Sequence, residues 1–161
     1  MATLNKLLYQ KLAEYIKTKL PKSYHSKFYA WFNGVSIIDQ GKNITDDGIE
    51  LYHLKYEGIL WLDEIAFEQL NLLELIFHIN DWLEHNDPLR EILDMGEVDF
   101  TTQIVDDKSA NVSFTIDFQE PITAVKLDDG NIVVDGERYQ LAPVPIYVAE
   151  HLQSIEVVRD V

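Results

Sequence analysis

Between residues 28 and 122 the hydrophobic period changes in a fixed order, and that order limits the possible folds more than any other feature. Residues 28–38 are aromatic and β-branched, which favours a strand, with Asn33-Gly34 marking a turn or bulge partway along. A polar loop at 40–48 leads to residues 50–62, whose apolar density is that of a central strand covered on at least one face. The period then lengthens. Residues 67–84 predict a helix in which Leu72, Leu75, Ile76, Ile79, Trp82 and Leu83 share one face, while Leu70, Leu73 and Phe77 occupy part of the opposite side. A helix apolar over so much of its circumference needs partners on more than one side. Asp63-Glu64 is placed just ahead of it, where negative charge suits a helix start, and Asn86-Asp87-Pro88 ends it. Residues 89–93 add a short turn.

Alternation resumes at Val98, Phe100, Thr102 and Ile104, and again at Val112, Phe114, Ile116 and Phe118. The polar link Asp106-Asp107-Lys108-Ser109 makes these two runs a hairpin. Pro121 is expected to break the second run. Residues 122–127 and 132–134 then form another hairpin through Asp128-Asp129-Gly130-Asn131, because Asp-Gly supplies the positive backbone angles of a tight turn. Upstream, Leu4, Leu8, Leu12 and Tyr15, flanked by Leu7 and Ile16, recur at helical spacing until Pro21 stops the helix. Residues 21–27 serve as a linker. The expectation is an α+β fold: a mainly antiparallel or mixed β-sheet packed against an N-terminal and a central helix, in one domain over residues 1–139. Residues 140–161 form a C-terminal arm with little periodicity apart from 146–152.

Charge sorts the functional possibilities. The chain carries 28 acidic and 13 basic residues, a formal net charge of −15. Residues 1–27 hold six lysines against Glu14 alone, or +5, which leaves 27 acids and 7 bases, or −20, on the remainder. Gripping a nucleic-acid backbone needs cations that the body of the chain lacks. No apolar run is long enough to span a membrane, and the first residues lack a signal-peptide pattern, so synthesis in the cytoplasm is expected. Without cysteine there is no disulfide, zinc-thiolate site or thiol nucleophile.

Candidate chemistry is sparse. Glu74, His78, Asp81 and His85 line one helical face and could approach a divalent ion, but they equally form the solvated stripe of an apolar helix. His25, His53 and His151 stand apart. The acid pairs Asp46-Asp47, Asp63-Glu64, Asp106-Asp107 and Asp128-Asp129 would matter to a glycosidase-like reaction only if their environments differed, and three of the four fall in turns. There is no nucleophile elbow, phosphate-binding glycine loop or His-Glu-x-x-His sequence. The residues therefore point to a non-enzyme without a cofactor or metal. Trp31, Trp61 and Trp82 suit a core by type; at a sheet edge or helix end each would suit a subunit or partner interface, as would Lys6, Lys11 and Lys17 of the basic helix.

Several segments carry a family resemblance over about residues 4–125. They are the helix ending in Leu20-Pro21, the strand with Asn33-Gly34-Val35-Ser36-Ile37, and the strand closing with Leu60-Trp61-Leu62-Asp63. The helix end Ile79-Asn80-Asp81-Trp82-Leu83-Glu84-His85-Asn86, the hairpin 100–112 and the exit Gln119-Glu120-Pro121 complete them. In these the chain resembles the tail-completion, or tail terminator-like, family of contractile-tailed bacteriophages. It departs from that pattern in the longer loop at 40–48 and in the C-terminal arm. The resemblance implies a virion tail protein that caps the head-proximal end of the tail, stops tube polymerisation and helps join tail to head. It also implies a homo-hexameric ring that contacts tail tube or sheath protein and the head–tail connector. Edge strands and the N-terminal helix would meet neighbours, the basic helix facing outward or toward an acidic one, and an acid-lined lumen would repel DNA. The alternative is an acidic adaptor or immunity-type inhibitor that binds a basic protein.

Overall fold

The computed structural model describes residues 6–39, 41–44 and 48–141. Helix α1 (Leu8–Lys19) is followed by a 3₁₀ turn (Lys22–Lys27), β1 (Phe28–Ile38) and the short β2 (Asn43–Ile44). Then come β3 (Gly48–Ala66), α2 (Leu72–Asn86) and the single turn α3 (Leu89–Ile92). Strands β4 (Asp99–Ile104), β5 (Ser109–Lys126), β6 (Ile132–Val134) and β7 (Glu137–Leu141) complete the described chain. The fold is α+β with a curled antiparallel sheet, as the sequence leads one to expect.

Two long strands, β3 and β5, pair along almost their whole length and form the spine of a seven-stranded sheet. At one level the order is β1-β3-β5-β4, with Phe28, Leu62, Val112 and Thr102 in one row and Ala30, Leu60, Phe114 and Phe100 in another. At the other level β2 joins β3, and β7 then β6 join β5. Even-numbered residues of β3 and β5 (Tyr56, Leu60, Leu62, Val112, Phe114, Ile116) are buried beneath the helices, so the period-two pattern marks the core face. A second small core of Ile49, Leu51, Ala124 and Val134 closes the far end.

The helix α1 lies on the sheet through Tyr9, Leu12, Ala13 and Ile16. The predicted stripe through Leu8 and Tyr15 is rotated, and those two residues are only partly buried. Gly58 explains how close the helix comes: a Cβ there would lie 2.8 Å from Tyr9 Cβ and 2.9 Å from Phe118 Cε2. Residues 22–27 are not a bare linker. They form the 3₁₀ turn, which buries Tyr24, whose hydroxyl accepts from the Ala66 N–H at 3.1 Å and donates to Gln69 Oε1 at 2.9 Å.

Other expectations change as well. Helix α2 starts at Leu72 rather than 67, because Asn71 caps it by accepting the Glu74 N–H at 3.2 Å. Asp63-Glu64 therefore lies inside β3 at a register shift, where Glu64 takes φ +47° and donates its N–H to Asn111 Oδ1 at 2.8 Å. Pro121 does not break β5. It sits opposite His53 in a stretch of β5 flanked by β3 on one side only, so the nitrogen that lacks a proton has an open side to face. Finally, β6 does not pair with β5: β7 inserts between them. The tight turn is Asp135-Gly136, with φ +51° and +81° as a two-residue hairpin demands, while Asp128–Asn131 only carries the chain across. Gln140 and Leu141 belong to β7, and the rest of the expected arm lies outside the described residues.

Candidate functional site

The chemistry suggested by the α2 stripe does not converge. His78 Nε2 lies 3.6 Å from Glu74 and His85 Nδ1 lies 3.4 Å from the Asp81 carboxylate, two separate pairs one helical turn apart. Among the described residues no three histidines or acids stand where they could hold a metal. Asp106 is occupied by its own turn: Oδ1 accepts from the Lys108 N–H at 2.8 Å, the Ser109 N–H at 2.9 Å and the Ser109 hydroxyl at 3.0 Å. The Lys108 N–H, followed by the Ser109 hydroxyl, holds its carboxyl below the usual carboxylate range. Asp46 and Asp47 lie outside the described residues.

Two polar clusters tie helices to β5. Glu120 Oε2 on β5 accepts the Leu8 N–H at 2.9 Å and the Tyr56 hydroxyl at 2.5 Å, and the Tyr56 oxygen accepts the Tyr9 N–H at 3.3 Å. A carboxylate at the first turn of α1 meets unsatisfied amides and the positive end of the helix dipole. Burial still dominates: it pushes the Glu120 carboxyl up, against the opposing pull of Tyr56, the Leu8 N–H and Lys11. Burial, then the charge on Glu120, raises the Tyr56 phenol too. Beyond α2, Asp87 accepts from Arg90 Nε at 3.0 Å, and the same guanidinium donates to the Asp117 carbonyl and lies over the Phe118 ring. Burial raises the Asp87 carboxyl although Arg90 opposes it.

The sequence-selected interface residues separate into two groups. Lys6 is buried against Glu14 at 2.6 Å, Lys17 is buried with its pKa lowered by that burial, and Trp82 is a core residue. These three are held within the subunit, so the basic helix does not present all its lysines outward. Lys11 is exposed, and Trp31 and Trp61 are half-buried on the sheet face away from the helices, where Trp31 sits opposite Ile59 and Trp61 opposite Tyr29.

What the single-residue survey missed is a groove of about 640 Å³ between α2 and β4, lined by Leu73, Ile76, Phe77, Phe100 and Phe114 with Arg90 and Glu97 at its rim. Leu73 is 79% exposed, Phe77 61% and Ile104 65%. Isolated exposed apolar residues are ordinary, but Leu73 and Phe77 stand one helical turn apart beside β4, which bonds only β5 among the described residues, and such a strip suits a contact surface. Its signal in the sequence is the apolar wrap of α2. At the opposite side of the sheet β1 bonds only β3 among the described residues, with Phe32, Val35 and Ile37 exposed. No helix among the described residues is long and apolar enough to cross a membrane.

Comparison with known proteins gives matches among bacteriophage proteins. Residues 6–143 match the model of the P2 phage tail completion protein R (GpR) family. An uncharacterized 19.2 kDa protein in the rep-hol intergenic region of Haemophilus phage HP1 is 37% identical over 155 residues, covering 96% of this chain and 93% of that protein. No solved structure matches the chain. With the family model spanning nearly all of the described fold, this chain belongs to the P2 phage tail completion protein R family.

Proposed function

We propose that the protein caps the head-proximal end of the tail, stops tube polymerisation and helps join tail to head, acting as a ring of identical subunits, six by the tail-terminator resemblance. The reading is carried by one observation: among the described residues, the helix-covered level of the sheet ends in two different strands, β1 and β4, each with apolar side chains left in solvent. Different flanks on one subunit favour heterologous contacts, which close into rings when the rotation allows. The buried Glu120, Tyr56, Asp87 and Arg90 groups are engaged within the fold, and the reading takes surface contact as the working part of the molecule. The partners on this reading are further copies of the chain, tail tube or sheath protein, and the connector.

Size-exclusion chromatography with light scattering, with and without tail-tube protein, tests this directly, alongside tube lengths measured by electron microscopy. A ring, free or seated on tube ends, together with arrest of tube growth, is the expected result. A monomer that neither binds tubes nor alters their length would overturn it and favour the acidic adaptor.

A further inference from the structure

One edge of β5 is left open between its pairings with β4 and β7, and the chain leaves β7 pointing along it. We propose that residues 142–146 of this same chain extend β7 into that gap, opposite Gln119–Thr123, as a strap with Pro143 and Pro145 turned outward. The assignment does not depend on the capping reading.

The gap follows from the registers. Strand β3 takes one edge of β5 from Ser109 to Val125. Strands β4 and β7 therefore share the other edge, β4 opposite Ala110–Thr115 and β7 opposite Ala124–Lys126. Among the described residues no strand pairs with that edge from 116 to 123. From Tyr139 to Leu141, β7 advances from Lys126 to Ala124, so the next residue on the same line falls opposite Thr123. The segment best placed to fill the gap is the one that β7 already delivers to it.

Backbone direction supplies the reason for filling it. The Ser109 carbonyl accepts the Val105 N–H on the β4 side, the Leu127 N–H donates to the Arg138 carbonyl, and the Asp117 carbonyl accepts from Arg90. Odd-numbered residues of β5 thus turn their backbone groups to this edge. Within the gap these include Gln119, Pro121 and Thr123, of which Gln119 is buried and the other two half-buried. Backbone groups withdrawn from water are costly to leave unpaired, and a strand alongside would pair them.

The sequence of the next residues, which lie outside the described ones, fits that strand. It reads Ala142-Pro143-Val144-Pro145-Ile146. Continuing the β7 register sets 142, 144 and 146 opposite Thr123, Pro121 and Gln119, at positions whose backbone faces β5. Residues 143 and 145 fall opposite Ile122 and Glu120, at positions that face away. Both prolines therefore stand where no N–H is needed, and on the outer edge they keep a further strand from adding to the sheet. A hollow of about 610 Å³, lined in part by Pro88, Leu89, Gln119, Glu120 and Pro121, gives room beside the gap. Where the gap meets α3, Arg90 Nη1 is buried without a hydrogen-bond partner among the described residues, and a backbone carbonyl of the arriving chain would satisfy it.

The chain has no cysteine, so introduced pairs report the register. In the full-length protein, Ile122→Cys with Pro143→Cys sets two thiols directly opposite each other, while Ile122→Cys with Val144→Cys sets them on opposite faces. Under mild oxidation, non-reducing electrophoresis and peptide mapping should show an intramolecular disulfide in the first pair and at least about tenfold less in the second. A disulfide between chains would assign the edge to a neighbour's segment and overturn the proposal. Equal yields in the two pairs, or none in either, would overturn it too. Amide hydrogen exchange in the cysteine-free chain gives a second reading. The Gln119 and Thr123 amides should be equally protected in the parent and in Pro143→Ala, whose new N–H points outward. In Val144→Pro, which removes an inward N–H, they should exchange roughly tenfold faster or more. The same exchange rates in the parent and in Val144→Pro would refute the strap.

Discussion

Tyr56→Phe is the most revealing single change, because one oxygen atom links α1 to both central strands. Its hydroxyl donates to Glu120 Oε2 at 2.5 Å and accepts the Tyr9 N–H at 3.3 Å. The ring itself is tightly held, stacked on Phe118 at 5.4 Å and edge-on to Tyr9 at 5.9 Å, so phenylalanine will occupy the same volume. The packing term is thus close to zero. What remains is a lost hydrogen bond to an acid, about 1.5–3 kcal/mol when that acid is charged, and the lost bond from the Tyr9 N–H, about 1 kcal/mol. The long Tyr9 contact and the partial exposure of Glu120 reduce both, and a net loss of about 2 kcal/mol is expected. In a chain of this size that lowers the thermal midpoint by roughly 4–8 °C. The assay is urea unfolding followed by tryptophan fluorescence near neutral pH, repeated in a Glu120→Gln background. There the acceptor is neutral, and Tyr56→Phe should cost only about 1 kcal/mol. A cost under about 0.5 kcal/mol in the parent, or a larger cost in the glutamine background, would refute the argument that a charge-assisted bond ties α1 to the sheet.

Other outcomes follow from particular contacts. Glu120 has its folded pKa raised chiefly by burial, so its contribution to stability is fully present below the unfolded value of 4.5 and is lost as pH rises through the folded one. Glu120→Gln should therefore flatten that part of the pH profile and be close to neutral for stability at pH values above it; a large loss there, seen by urea unfolding, would contradict the sign. Gly58→Ala places a methyl group 2.8 Å from Tyr9 Cβ and should cost about 1–3 kcal/mol by prising α1 off β3, read as a lower thermal midpoint. Gly136→Ala forces an L side chain to φ +81° in the β6–β7 turn and should cost about 1 kcal/mol, measurable by thermal unfolding. Leu73→Ser and Phe77→Ser touch only exposed positions, so unfolding should shift by less than about 0.5 kcal/mol while assembly on tubes falls sharply. Equal loss of folding and assembly would mean these residues are core after all.

Local rules alone determined much of this protein. Alternation at Val112–Ile116, β-branched density at 28–38 and the three- and four-residue spacing of Leu72–Leu83 each reflect the geometry of a single element, and each appears where expected. The Asn33-Gly34 bulge was legible for the same reason: Gly34 takes φ +64° at a register shift that only a residue without Cβ adopts freely. Tertiary structure decided the matters in which two local signals compete or a distant partner intervenes. Two Asp-Gly pairs, at 129–130 and 135–136, offered a tight turn; the sequence does not rank them, and the pairing of β7 with β5 selects the second. Lys6 and Lys17 count as surface charge in any linear sum, yet Glu14 and the packing of α1 take them out of solvent. The face of α1 is likewise set from outside, by the space above Gly58 and the anchor at Glu120, 112 residues from Leu8. Periodicity fixes which residues share a side of an element, but which side is buried depends on what the chain brings against it.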